Sequence, residues 1–259
     1  MKVMMQATWL ALLILVSFGA SAEVPLYAQA PPGQGVNGDW AFLGRYQKEN
    51  ASLAPDGTRV VFLGDSITQD WASHPFISKN AHYVGRGISG QTTLQLLVRF
   101  RADVIDLRPK LVHIMAGTND IAGNNGPESD AEIEDAIRSM VELALANHIQ
   151  VLLASIPPAQ DFNWHPNLSP APRIRRINAW LRSYASQPGV SYADYWSALA
   201  TSDGSMKPGL AADGVHPNEQ CYERMAPIAA AAIESALKAH AGARVTRQDH
   251  RPRAGAAIR

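Results

Sequence analysis

The chain has one cysteine in 259 residues, Cys221, so no disulfide can form within it. Without that staple it must be held by its own core, and at this length one large α/β domain buries enough apolar surface to do so. The formal charge is zero, which leaves no broad electrostatic pull toward nucleic acid. Five arginines (Arg244, Arg247, Arg251, Arg253 and Arg259) against the single acid Asp249 fall in residues 240–259, so the remaining body is mildly acidic and carries no basic patch. Internal repeats are absent. No apolar run reaches the ~20 residues that span a bilayer. The longest, Ala7 to Ala20, follows Met1-Lys2 and leads into Ala20-Ser21-Ala22, a small-x-small cleavage pattern. Residues 1–22 therefore read as an export signal, with the mature chain starting near Glu23 in the periplasm or outside the cell and without stable membrane insertion. No cysteine lies beside the cleavage pattern, which argues against a lipid anchor. Two further absences narrow the chemistry. There is no Gly-x-Ser-x-Gly elbow, and no long apolar lid segment of the kind that would favour long-chain lipids.

What is present is alternation. Five short apolar runs suit buried strands: Val60–Leu63, a weaker one near His82–Arg86, Leu111–Met115, Gln150–Ser155 and Val190–Asp194. Helix-length segments lie between or after them, at Thr93–Leu107, Ser129–Asn147, Ala171–Ser186 and Glu219–Ala239, with apolar residues such as Ile174, Ile177, Trp180 and Leu181 at helical spacing. Strand-helix alternation predicts a parallel sheet with helices on both faces. Residues 23–57 read as an irregular lead-in with a helix around Trp40–Asn50, residues 58–239 as the domain, and residues 240–259, rich in Ala, Arg and Gly, as a disordered tail.

In an open parallel sheet, ligands sit beyond the carboxyl ends of the strands. Ser66 follows the first run in Gly64-Asp65-Ser66-Ile67, Gly90 the second and Asn119 the third, while Asp213-Gly214-Val215-His216 precedes the last helix. A hydroxyl, a histidine base and a carboxylate to orient it are the parts of a serine hydrolase, in the order Ser…Asp…His. The N–H groups of Ser66 and Gly90 and the Asn119 amide are candidate donors to a developing oxyanion. Each block alone has a plainer reading: an N-cap, a strand end, an Asx turn or a helix start. Their order favours chemistry.

The four blocks resemble those of the SGNH (GDSL-type) hydrolases, over roughly residues 58–238, with Ile67 where the family's name has leucine. The longer stretches 86–93 and 115–124 resemble bacterial exported acetylhydrolase- or arylesterase-like members. The resemblance implies a flavodoxin-like three-layer α/β/α fold and an ester hydrolase that needs no cofactor or metal. It makes Ser66 the nucleophile, His216 the base, Asp213 its partner, and Gly90 and Asn119 oxyanion donors. The expected substrate is a small-molecule or carbohydrate ester with a short acyl group, acetyl above all. Lysophospholipids and thioesters are the alternative within the family, and an inactive glycan-binding scaffold the alternative outside it. Asp65, Trp71, Trp164 and His165 are candidate substrate contacts. A metal phosphoesterase using Asp65, Asn119, Asp120 and His216 would leave Ser66 and Gly90 unexplained, and Cys221 reads as a buried thiol rather than a nucleophile.

Overall fold

A computed structural model describes residues 39–249, with side chains described as far as residue 239. The predicted export signal, the first part of the lead-in and residues 250–259 lie outside the described residues. Strands β1 (Val60–Gly64), β2 (Tyr83–Gly87), β3 (Leu111–Met115), β4 (Gln150–Ala154) and β5 (Val190–Ala193) form one parallel sheet in the order β2-β1-β3-β4-β5. Alternate residues of each strand face opposite ways, and here both faces are covered. Val61 and Leu63 of β1 pack with Leu96, Phe100, Ile133, Ile137 and Ile174 in one apolar layer. Val60 and Phe62 pack with Trp71, Tyr222 and Met225 in the other. This is the three-layer α/β/α arrangement, and double coverage explains why the central strands read as unbroken apolar runs.

The long helices are α4 (Thr93–Asp103), α6 (Asp130–Ala146), α7 (Ala171–Tyr184) and α9 (Glu219–Asp249), with shorter α1 (Gln47–Ser52), α2 (Ser66–Trp71), α3 (Pro75–Ser78), α5 (Thr118–Ala122) and α8 (Trp196–Leu199). A reciprocal capping box between Ser129 and Glu132 starts α6. The segment expected to be helical over Thr93–Leu107 breaks after Asp103 into a single 3-10 turn, Ile105–Leu107, and Arg108 takes a left-handed φ of 48° before Pro109. A residue preceding proline is disfavoured in the helical region, so the helix cannot run through it.

Two expectations about the ends are corrected. The lead-in helix starts at Gln47 rather than Trp40, and residues 39–57 are tied into the domain. The Gln91 amide donates to the Ala41 carbonyl at 2.9 Å, the Asn50 amide donates to Asp103 at 2.8 Å, and the Tyr46 hydroxyl donates to the Gly87 carbonyl. The last helix continues to Asp249, so the first half of the expected disordered tail is helical; its abundant alanines and arginines are strong helix formers.

Because β1 has β2 on one side and β3 on the other, chain direction across the sheet reverses between β1 and β3. Such a switch point leaves a crevice at the strands' carboxyl ends. The turns carrying Ser66, Gly90, Asn119 and Trp164 all emerge at that edge.

Candidate active site

The turn after β1 is built for close approach. A Cβ on Gly64 would lie 2.5 Å from the Met115 carbonyl oxygen of β3 and 2.1 Å from Thr68 Oγ1, so only glycine lets α2 start this near the neighbouring strand. Asp65 is the N-cap of α2, its Oδ1 accepting from the Ile67 N–H at 3.0 Å. The N-cap reading and the chemical one therefore hold together, for Ser66 is the next residue. Its hydroxyl lies 2.9 Å from His216 Nε2, across 150 residues of sequence.

His216 is held by Asp213 through two backbone bonds and one side-chain bond. Oδ1 of Asp213 accepts the N–H groups of Val215 at 3.0 Å and His216 at 2.8 Å, and Oδ2 meets His216 Nδ1 at 2.6 Å. A carboxylate can only accept, so Nδ1 carries the proton and Nε2 presents its lone pair to the Ser66 hydroxyl. Partial burial opposes ionisation of Asp213, but the bonds from His216 and Val215 outweigh it and hold the carboxyl below its ordinary range.

Three N–H donors belong to residues that line the same cavity as the hydroxyl. Gly90 has φ +77°, a conformation that side-chain-bearing residues rarely adopt. Neither its N–H nor that of Ser66 finds an acceptor among the described residues. The Asn119 amide is less free: its Nδ2 lies 3.2 Å from Asp65 Oδ2 and 3.1 Å from the Gln91 carbonyl. Both contacts are long, and a negative oxygen is the stronger acceptor. Ser66, Gly90, Asn119 and His216 share one cavity of about 380 Å³, walled by Trp164 and His165. A hydroxyl poised on a neutral histidine, with N–H donors beside it, is equipped to attack a carbonyl carbon and to hold the resulting oxyanion.

The GDSL-like lipase/acylhydrolase family matches residues 62–224, from β1 into α9. The chain belongs to this family. A Bacteroides fragilis NCTC 9343 protein assigned as an acylhydrolase is 45% identical to it, over 77% of this chain and 99% of its own, with a TM-score of 0.74. A GDSL-like lipase from Bacteroides thetaiotaomicron VPI-5482 is 41% identical over 76% of this chain and 98% of its own, with a TM-score of 0.73. Platelet-activating factor acetylhydrolase IB subunit alpha1 from Bos taurus is 27% identical over 186 residues, 68% of this chain and 75% of its own. This GDSL-family protein is thus an ester hydrolase on a three-layer SGNH scaffold.

The other candidate residues divide. Trp164 sits over the base, its ring centroid 5.9 Å from that of His216, and His165 lines the same cavity with Nδ1 donating to the Ala122 carbonyl. Trp71 does not reach the cavity. It is wholly buried on the other side of β1, stacked on Tyr222 at 5.7 Å and edge-on to Phe62. Asp65 is also buried, beneath the cavity, and its oxygens serve Ile67 and Asn119 rather than a ligand. Burial pushes its carboxyl up to about 7. Cys221 is buried in α9 and burial raises its thiol to about 11, which makes it inert as a nucleophile. His113, inside β3, bonds the Tyr195 hydroxyl at 2.9 Å. Among the described residues no three His, Cys, Asp or Glu side chains are grouped as metal ligands.

Three residues in or beside the family's blocks have roles that the motifs do not state. Arg99, buried in α4, donates to the Gly64 carbonyl at 2.9 Å, to Gln91 Oε1 at 2.6 Å and to Asp103 at 3.0 Å. Gln91 links that arginine to the lead-in, and Asn124 touches Asn119. Only the Arg99–Asp103 spacing of four, on the helix face that also carries Leu96 and Phe100, signalled a buried pair.

Proposed function

We propose that the protein hydrolyses short-chain, chiefly acetyl, esters outside the cytoplasm by an acyl-enzyme route. The Ser66 hydroxyl attacks the acyl carbon while His216 Nε2 takes its proton. The carbonyl π pair moves to oxygen, and the N–H groups of Ser66 and Gly90 and the Asn119 amide hold that oxyanion. His216 then gives its proton to the leaving alcohol as the C–O bond breaks. A water, deprotonated by His216, attacks the acyl-Ser66 ester and releases the carboxylate and free Ser66. Asp213 keeps His216 in the required tautomer and stabilises the imidazolium.

The observation that carries this reading is the unbroken chain Ser66–His216–Asp213, with contacts of 2.9 and 2.6 Å. Support for a small acyl group comes from the modest cavity and from the relative named an acetylhydrolase. Export rests on the pattern of residues 1–22. Aromatic walls such as Trp164 suit the face of a sugar ring, which favours a carbohydrate as the alcohol portion. The test is a chain-length series of p-nitrophenyl esters beside acetylated xylan, acetylated pectin fragments and lysophosphatidylcholine. Rates peaking at the acetyl ester, with acetate released from a glycan, are expected. A maximum at eight carbons or more with lysophospholipid cleavage would move the assignment to a lysophospholipase.

A further inference from the structure

Asn119 can serve an oxyanion only if its amino group, not its oxygen, faces the cavity, and an amide in a polar turn has two orientations of nearly equal shape. The Gln91 carbonyl and Asp65 Oδ2 favour one of them by accepting from Nδ2, and a donor to Oδ1 would lock it. Asn124, on the turn after α5, is placed to do so. The chain reverses at Gly123, where φ is +72°, and brings Asn124 back so that its backbone N–H donates to the Asn119 carbonyl at 3.0 Å. Its side chain then lies between two partners. On one side the Trp164 indole N–H donates to Asn124 Oδ1 at 3.0 Å. On the other, Asn124 Nδ2 donates to Asn119 Oδ1 at 2.7 Å, with a longer contact of 3.4 Å to the Gly90 carbonyl.

The direction of this relay follows from elementary hydrogen-bond inventory. An indole N–H is a donor and nothing else. It must meet an oxygen, which fixes the Asn124 amide with its amino group toward Asn119. That amino group in turn demands an oxygen, which fixes Asn119 with Oδ1 toward Asn124 and Nδ2 toward the Gln91 carbonyl, Asp65 and the cavity. Only an amide supplies an acceptor at one end and a donor at the other: aspartate would present two acceptors, and leucine none.

We propose that Asn124 is a positioning residue that orients the Asn119 amide for the oxyanion, and that Trp164, a wall of the cavity, sets Asn124 in turn. The proposal rests on the reading of Asn119 as an oxyanion donor. It gives Trp164 a second task beside contact with substrate: the wall and the oxyanion donor are linked through one side chain.

The test is a double-mutant cycle on p-nitrophenyl acetate, with thermal unfolding as a folding control. Asn119→Ala alone is expected to lower kcat by about 10²–10³. Asn124→Ala should lower kcat roughly 10- to 100-fold, the scale seen when a partner that orients a metal ligand is removed, with KM within about threefold. On the Asn119→Ala background the same substitution should cost no more than about threefold, since a residue acting through another has nothing left to act on. Trp164→Phe keeps the ring and deletes the N–H. It should lower kcat more in the wild-type background than beside Asn119→Ala, since only the part due to the cavity wall persists in both, and this coupling covers the case of an Asn124→Ala protein that fails to fold. An Asn124→Ala loss that persists in full without Asn119, or that appears in KM alone, overturns the proposal. Wild-type kcat in Asn119→Ala would strike down the oxyanion reading and this inference with it.

Discussion

Asp213 uses both carboxyl oxygens as acceptors, one for two backbone N–H groups and one for the imidazole. That double duty makes an outcome predictable. In Asp213→Asn one side of the group becomes an amino group, which must face either the backbone donors or His216 Nδ1. Facing the backbone it leaves Val215 and His216 N–H unsatisfied, and facing the ring it forces the tautomer that takes the lone pair away from Ser66. Either way the negative charge that stabilises the imidazolium is lost, and in the second orientation the base is lost with it, while the shape is kept. The substitution should lower kcat by about 10³–10⁴-fold, the scale seen when a triad carboxylate becomes an amide, with KM and the unfolding midpoint little changed. A loss under tenfold would mean that His216 is oriented by something other than Asp213.

At the scale of elements, α4 does more than cover the sheet. Arg99 reaches from it beneath the nucleophile turn and ties the Gly64 carbonyl, Gln91 and Asp103 together in a site without solvent. Arg99→Met would leave the Asp103 carboxylate buried without its ion-pair partner, which costs about 3–5 kcal/mol. Urea unfolding should show the midpoint falling accordingly, with much of the loss recovered in Arg99→Met/Asp103→Leu. Equal stability of the single variant and wild type would contradict the account of the turn. Strands β1, β3 and β4 were legible because both faces are buried, and the four turn motifs because glycine and short polar residues must stand where strands end. Trp71 was misplaced although its spacing of four from Ile67 already put both on one buried face of α2. Asn124 was invisible as a contact of Asn119, because five residues and a left-handed glycine separate them and neither helix nor strand periodicity relates the two. The helical start of the tail was missed because its lack of apolar periodicity was read as disorder, whereas alanine and arginine favour helix without it.

Across the whole molecule, three acids with raised carboxyls, the buried Asp65 and Asp120 and the half-buried Glu128, set how stability varies with pH. Burial raises Asp65 from 3.8 to about 7, and burial with the neighbouring Asp120 carboxyl raises Glu128 from 4.5 to about 8. The folded state therefore binds protons that the unfolded chain releases near pH 4. The stability these groups contribute is complete below about pH 4 and is lost as pH rises through about 7 to 8. The unfolding temperature should fall between pH 5 and 9, and Glu128→Gln should flatten the upper part of that fall. A temperature that climbs with pH over this range would contradict it. The central claim, that acyl transfer passes through Ser66 activated by His216, is tested most directly by trapping the covalent enzyme. Intact-mass and peptide mass spectrometry after reaction with a fluorophosphonate should find one adduct, on Ser66, formed rapidly by the wild type, slowly by His216→Ala and not at all by Ser66→Ala. An adduct on another residue, or ester turnover by Ser66→Ala at the wild-type rate, would contradict the account.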